Sequence, residues 1–315
     1  MKVFITGGNG QVGSTVADML LARGDTVMSV DNFATGRRDN LLAHPNLTQI
    51  EDTIVDGALV DRLFADFKPD IVVHTAASYK DPEDWGTDAL VNAAGTANIA
   101  RASKLNKVQR LIYFQTALCY GTMPIQQPIR LDHPINPVNS SYAISKTAGE
   151  HYVQFSGVSW VTFRLANVIG ERNVSGPLPI FYGRLAKGQK CFVTPARRDF
   201  CYAADLARVV VQAADGKGRG TYHFSSGKDV AIKELYDAVV KAMKLNAYPE
   251  PEIKPLGPDD APSILLDPSR TFADFGDVQF TSLDDIARVS VERWETAGVV
   301  GGYTHLKEAR ADVRT

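Results

Sequence analysis

Residues 2–13 read Lys2-Val3-Phe4-Ile5-Thr6-Gly7-Gly8-Asn9-Gly10-Gln11-Val12-Gly13. A short apolar run, Val3-Phe4-Ile5, meets glycines at 7, 10 and 13, and helical spacing then runs from Gln11 to Ala22. A strand that turns into a helix through Gly-x-x-Gly-x-x-Gly is built to hold a pyrophosphate. Glycine permits the tight turn and lets the backbone approach the phosphates. The helix N-terminus offers free N–H groups and a partial positive charge. Gly7, Gly10, Gln11, Val12 and Gly13 are therefore expected to cradle a dinucleotide.

The next strand runs from Thr26 to Val30 and Asp31 closes it. A carboxylate there accepts hydrogen bonds from ribose hydroxyls and repels a 2′-phosphate, which predicts NAD over NADP. Arg37 and Arg38 follow closely and are the groups that could instead hold such a phosphate. Further along, Leu59 to Phe67 reads as a helix and Ile71-Val72-Val73 as a strand. Asp88 to Leu105 reads as a long helix, Arg110 to Phe114 as a strand, Tyr142 to Phe155 as a helix and Trp160 to Phe163 as a strand.

Strand–helix alternation at this spacing predicts an α/β protein: a Rossmann-like doubly wound parallel sheet with a smaller C-terminal substrate-binding lobe. The expected division is 1–167 for the dinucleotide-binding domain, with segments near 203–221 returning to it. Residues 168–202 and 222–296 would form the lobe, and 297–315 a C-terminal tail. Gly176-Pro177-Leu178-Pro179 reads as a loop, and Tyr248 to Asp260 is rich in proline and acidic residues.

Composition excludes other classes. The 315 residues carry a formal net charge of −2, which argues against a nucleic-acid partner held by a basic surface. The three cysteines, Cys119, Cys191 and Cys201, form no Cys-x-x-Cys pair and no zinc spacing, so no metal is expected. No apolar run approaches a membrane span. The chain starts at Met1-Lys2 and runs straight into a strand, so no signal peptide is expected and the predicted location is cytoplasmic.

Tyr142-Ala143-Ile144-Ser145-Lys146 sets Tyr142 and Lys146 on one face of a helix. A nearby ammonium stabilises tyrosinate, so Tyr142 can remove a proton from a sugar hydroxyl as hydride leaves the same carbon. Thr116 follows an apolar strand whose C-terminal end should line the ligand crevice, and its hydroxyl can bond the reacting oxygen. Arg198 suits a phosphate, because a guanidinium matches phosphate bidentately; its structural alternative is an ion pair with a nearby Asp.

Taken in order, Thr6 to Gly13, Asp31-Asn32, His74-Thr75-Ala76-Ala77, Asn92, Thr116 with Tyr120-Gly121, Tyr142 and Lys146, Arg164 with Asn167, and Arg198-Asp199-Phe200 resemble the NAD-dependent epimerase/dehydratase family of extended short-chain dehydrogenases/reductases. The resemblance runs from Lys2 to about Trp294. Lys80-Asp81-Pro82, Phe114 to Gly121 and Tyr303-Thr304-His305-Leu306 are most similar to sugar-nucleotide C4 epimerases of bacterial polysaccharide clusters. The resemblance implies cofactor contacts for Asp31, Asn32, Thr53, Ile54, Thr75, Ala76, Ala77, Asn92, Gln115, Tyr142 and Lys146. It implies that Asn167 and Arg198 meet a substrate diphosphate, that Lys190 and Phe192 flank the base, and that Asp260 lies at the substrate.

The chain departs from the family pattern at three places. Asp52-Thr53-Ile54 has Thr where an adenine-binding Asp usually stands. Gly257-Pro258-Asp259-Asp260 replaces Arg-Pro-Gly-Asp and lacks its arginine. Gln115 replaces the first of two serines before Tyr120-Gly121.

Related dehydratases carry an acidic pair directly after the catalytic Thr. Here Ala117 and Leu118 occupy those positions, and neither can move a proton. A C4 epimerase needs only hydride transfer out and back through a transient 4-keto sugar. The expected activity is therefore NAD-dependent C4 inversion of a UDP-hexose or other nucleotide sugar. A nucleotide-sugar reductase or dehydratase and a non-catalytic NAD-binding protein are the alternatives. Small and apolar residues on the helices 88–105 and 142–155, including Ala89, Ala93, Ala97, Tyr152 and Phe155, predict a homodimer.

Overall fold

The computed structural model describes residues 1–297 apart from Asn139, Pro258 and Asp259. The Tyr303 to Leu306 segment and residues 298–315 of the expected tail lie outside the described residues.

Seven strands build one sheet: β1 (Lys2–Thr6), β2 (Thr26–Asp31), β3 (Leu47–Glu51), β4 (Ile71–His74), β5 (Arg110–Thr116), β6 (Trp160–Leu165) and, after four short strands, β11 (Gly220–Phe224). The order is β3-β2-β1-β4-β5-β6-β11 and every pairing is parallel. The order reverses between β1 and β4, and doubly wound sheets bind ligands at the carboxyl ends of strands beside such a switch. Both faces are covered. Val3 and Ile5 pack on Leu20 and Leu21 of α1 (Gln11–Ala22) and on α7 (Ala203–Ala214). Phe4 and Val72 face the other way, onto α2 (Gly57–Phe67) and α4 (Thr96–Leu105). The smaller lobe has its own core, in which Phe181, Tyr236 and Trp294 join α6 (Pro177–Leu185), α8 (Ile232–Ala242) and α10 (Leu283–Ala297).

Several expectations need correcting. Residues 222–224, assigned to the lobe, complete β11, and Phe275 with Val278 and Phe280 also joins the main core. Pro177 to Pro179 is no loop but opens α6. Gly176 at φ 80° turns the chain, and prolines in a first helical turn give up only N–H groups that have no intrahelical partner. The edge strand β3 carries no apolar run to mark it, because its residues are mostly exposed and polar. The long helix is interrupted. α3 (Trp85–Asp88) passes into a π-helical turn, Ala89–Gly95, before α4 begins. Wider turns of this kind are frequent at functional sites.

Candidate active site

Gly7 and Gly13 are required by packing. A Cβ on Gly7 (φ +65°) would lie 2.7 Å from the Ala76 nitrogen, and one on Gly13 only 2.3 Å from the Gly7 carbonyl. The Thr75 hydroxyl holds this turn by donating to the carbonyls of Thr6 (2.7 Å) and Gly7 (3.1 Å). The Ala76 N–H donates to the Thr6 hydroxyl at 3.2 Å, and Ala77 follows it at the end of β4. Gly10 caps α1 with no side-chain bond, and the first helical N–H to find a helix carbonyl is that of Ser14, on Gly10 at 3.0 Å. The N–H groups of Gln11, Val12 and Gly13 precede it in the first turn, free of the helical ladder. Val12 packs on the main core, and the Gln11 amide reaches the Val168 carbonyl.

Asp31 ends β2 beside this turn. Its carboxylate accepts from the N–H groups of Asn9 (2.9 Å) and Phe33 (2.8 Å). Burial raises its pKa, against the pull of those N–H groups. Gly36 was not anticipated: any Cβ there would sit 2.8 Å from both Asp31 oxygens. Asn32 is exposed and its side chain accepts from the Ala34 N–H. Arg37 is paired with Asp39 at 2.6 Å and Arg38 with Glu51 at 2.6 Å, so each guanidinium already has a carboxylate. Thr53 caps its own turn, accepting from the Val55 N–H, while Ile54 is buried in the core beside Gly95.

Thr116 closes β5. Its Oγ1 accepts from the Leu118 N–H at 3.2 Å, so the hydroxyl proton is left to donate elsewhere. Tyr142 and Lys146 lie on α5 (Ser141–Phe155), which packs along β5 and the π-helical turn. The fit is close: a Cβ on Gly149 would lie 2.6 Å from both the Asn92 carbonyl and the Tyr113 hydroxyl. Lys146 is 2% exposed, and its ammonium lies over the Tyr113 ring. Burial lowers its pKa to about 7, with Glu150 opposing. Burial also pushes the Tyr142 phenol well above the usual tyrosine range, reinforced by Tyr79 and Asp88. The expected lowering of the Tyr142 pKa by Lys146 is not found: desolvation dominates and raises it. His74, buried between the hydroxyls of Thr6 (2.6 Å) and Thr96 (2.8 Å), is held neutral, its pKa lowered to about 3.

Two of the expected cofactor contacts also bond within the chain. The Gln115 amide donates to Glu150 (3.1 Å) and Thr147 (3.4 Å), and its carbonyl accepts from the Thr116 N–H (2.8 Å). It belongs to a buried network in which Glu150 pairs with Arg164, Arg164 donates to Tyr120, and Tyr120 bonds His223. Asn92 is a clamp, bonded to both backbone groups of Ser78 (2.8 and 2.9 Å) and to the Ser145 hydroxyl (3.0 Å).

In the lobe, Asn167 opens β7 (Asn167–Ile169) with an exposed side chain. Lys190 is exposed, and Phe192 lies under the Lys254 ammonium at 4.5 Å from the ring centre. Arg198 meets its structural alternative: it pairs with Asp260 at 2.5 Å and donates to the carbonyls of Arg197 (2.8 Å) and Ala261 (2.7 Å). A diphosphate there would have to share the guanidinium with Asp260. Among the described residues no cluster of His, Cys, Asp and Glu could hold a metal ion.

The glycine turn whose close contacts exclude a Cβ, the carboxylate at Asp31 and the unpaired first turn of α1 fit a dinucleotide. The comparisons agree. Residues 3–224 match the model of the NAD dependent epimerase/dehydratase family. The Bordetella bronchiseptica enzyme WbmH, solved in complex with NAD+, is 64% identical, with a TM-score of 0.93 over 95% of this chain and 99% of that one. WbmG from the same organism, solved with NAD and UDP, is 41% identical, with a TM-score of 0.88 over 97% of each chain. A UDP-glucose 4-epimerase of Mycolicibacterium smegmatis is 32% identical over 86% of this chain and 91% of its own length. The chain belongs to the NAD-dependent epimerase/dehydratase family.

Proposed function

We propose that the protein reversibly inverts C4 of a UDP-linked hexose or a derivative of one, with NAD as its cofactor. The carrying observation is a hydride-transfer set, Thr116, Tyr142 and Lys146, beside two residues with no acid–base chemistry. Ala117 is buried in an apolar cluster with Ile129, Ile264 and Leu266, and Leu118 packs against it. An eliminating or decarboxylating relative would need a proton-moving group there.

Bound NAD supplies a hydride acceptor and donor. The chain's own residues do the rest. The Thr116 hydroxyl keeps its proton to donate to the C4 oxygen, because Oγ1 already accepts from the Leu118 N–H. The Tyr142 phenol exchanges the proton of that oxygen, and the buried Lys146 ammonium supplies positive charge. Asp31 holds the adenosine ribose and disfavours a 2′-phosphate; the pairing of Arg37 and Arg38 with carboxylates supports the same preference. UDP is the favoured nucleotide because WbmG was solved with it and the M. smegmatis relative carries a UDP-sugar name. Asn167 and Arg198 are the candidate anchors of the diphosphate.

We also infer a homodimer. Leu90, Ile144, Tyr152 and Phe155 form exposed apolar positions on the π-helical turn and α5, with Phe155 83% exposed. A cytoplasmic location accords with a nucleotide-sugar substrate, and among the described residues no helix is long and apolar enough to cross a membrane.

The test is isotopic. A UDP-hexose deuterated at C4 should keep its deuterium at C4 in the epimerised product, read by NMR. Deuterium at C6, or an accumulating 4-keto sugar, would mean elimination or net oxidation and overturn the assignment.

A further inference from the structure

β5 outruns its neighbour β4. His74, the last residue of β4, pairs with Tyr113, and only β6 accompanies Gln115 and Thr116. Thr116 therefore ends β5 with a strand on one side alone. Its N–H finds a side chain instead: the Gln115 amide oxygen accepts it at 2.8 Å. Gln115 shares the sheet face of Tyr113, and both side chains reach α5. The Gln115 amide nitrogen donates there to the Glu150 carboxylate (3.1 Å) and to the Thr147 hydroxyl (3.4 Å). These partners fix which way the amide faces, since the reverse would set oxygen against oxygen.

Glu150 makes a firm anchor. It is fully buried, and Arg164 on β6 donates to both of its oxygens, at 3.1 and 3.3 Å. Arg164 also donates to the Tyr120 hydroxyl at 2.6 Å, and Tyr120 bonds His223 of β11 at 2.7 Å. Charge-assisted bonds of this kind are the strong ones. We propose that Gln115 is a positioning residue for Thr116: its amide ties the end of β5 to the buried Glu150–Arg164 pair and so fixes the backbone that carries the Thr116 hydroxyl. The inference rests on the reaction proposed above, in which Thr116 donates to the C4 oxygen. A side chain shorter than glutamine could not span Thr116 and α5 together. Misplacing a reacting group by about 1 Å can cost on the order of 100-fold in rate, so the tie bears on turnover.

The test is a double-mutant cycle. Gln115→Met keeps the length of the side chain and removes the amide. It should lower kcat about tenfold, with KM and NAD affinity held within about twofold. In a Thr116→Ala background the same change should cost less than about twofold, because no hydroxyl remains to be placed. An equal loss in both backgrounds would overturn the inference, as would an unchanged kcat with only a lower unfolding midpoint. A fall in NAD affinity with kcat intact would make Gln115 a cofactor contact and also overturn it. If Gln115→Met does not fold, Gln115→Asn keeps an amide that reaches Thr116 or Glu150 but not both, and the same cycle is read with it. Failure of the underlying reaction looks different: Thr116→Ala alone would then keep its turnover.

Discussion

The Lys146 ammonium lies 4.2 Å from the centre of the Tyr113 ring, while the Tyr113 hydroxyl donates to the Lys146 carbonyl at 2.9 Å. One tyrosine thus holds both ends of the residue. The ring face attracts the cation but does not replace its water, which is why the Lys146 pKa falls to about 7.

Lys146→Met should therefore stabilise the cofactor-free protein while abolishing turnover. The folded pKa of about 7 lies below the ordinary lysine value of 10.5, so burying the charged form costs most below pH 7 and the cost fades as pH rises through that window. The expected gain at pH 6.5 is on the order of 1–4 kcal/mol, declining toward pH 10. Urea unfolding of both proteins at three pH values checks it; equal midpoints at pH 6.5 would contradict the desolvation argument.

Asp31→Ala should narrow the preference for NAD over NADP by relieving repulsion of a 2′-phosphate. Arg37 and Arg38 are engaged with Asp39 and Glu51, so NADP affinity should rise modestly and not overtake that for NAD. Fluorescence titration with both dinucleotides reads this. Equal affinities in the unmodified protein would remove Asp31 from its assigned role.

Phe155→Asp should yield monomers. The side chain is 83% exposed, and an aspartate there would bring like charges together across a two-fold axis if α5 pairs with its copy. Light scattering at micromolar concentration should give a dimer for the unmodified protein and a monomer for the variant. A monomer in both would dismiss the assembly.

Stability should fall in mild acid. His74 and His223 are buried neutral, with pKa values lowered to about 3 and about 4 from 6.5. Unfolded histidine takes up protons below pH 6.5, whereas these do so only near their lower folded values. Their contribution is thus intact above pH 6.5 and lost progressively as pH falls toward 3–4. His74→Gln should lose part of that dependence. A pH-independent unfolding midpoint between 6.5 and 4.5 in the unmodified protein would refute this.

Local pattern made the dinucleotide half of the molecule legible in the sequence. Strand period, glycine spacing and helix length concern neighbours in the chain, and they located α1 from Gln11 to Ala22, the end of β2 at Asp31 and the Tyr142 helix. What each polar side chain does was decided by residues far away in sequence. Gln115 bonds Glu150, Asn92 clamps Ser78 and Ser145, and Arg198 pairs with Asp260. Backbone preference acts over a few residues, so sequence could specify the strands and helices. Burial and hydrogen-bond partnership are properties of assembled layers, so tertiary structure alone set the charges around Tyr142 and Lys146.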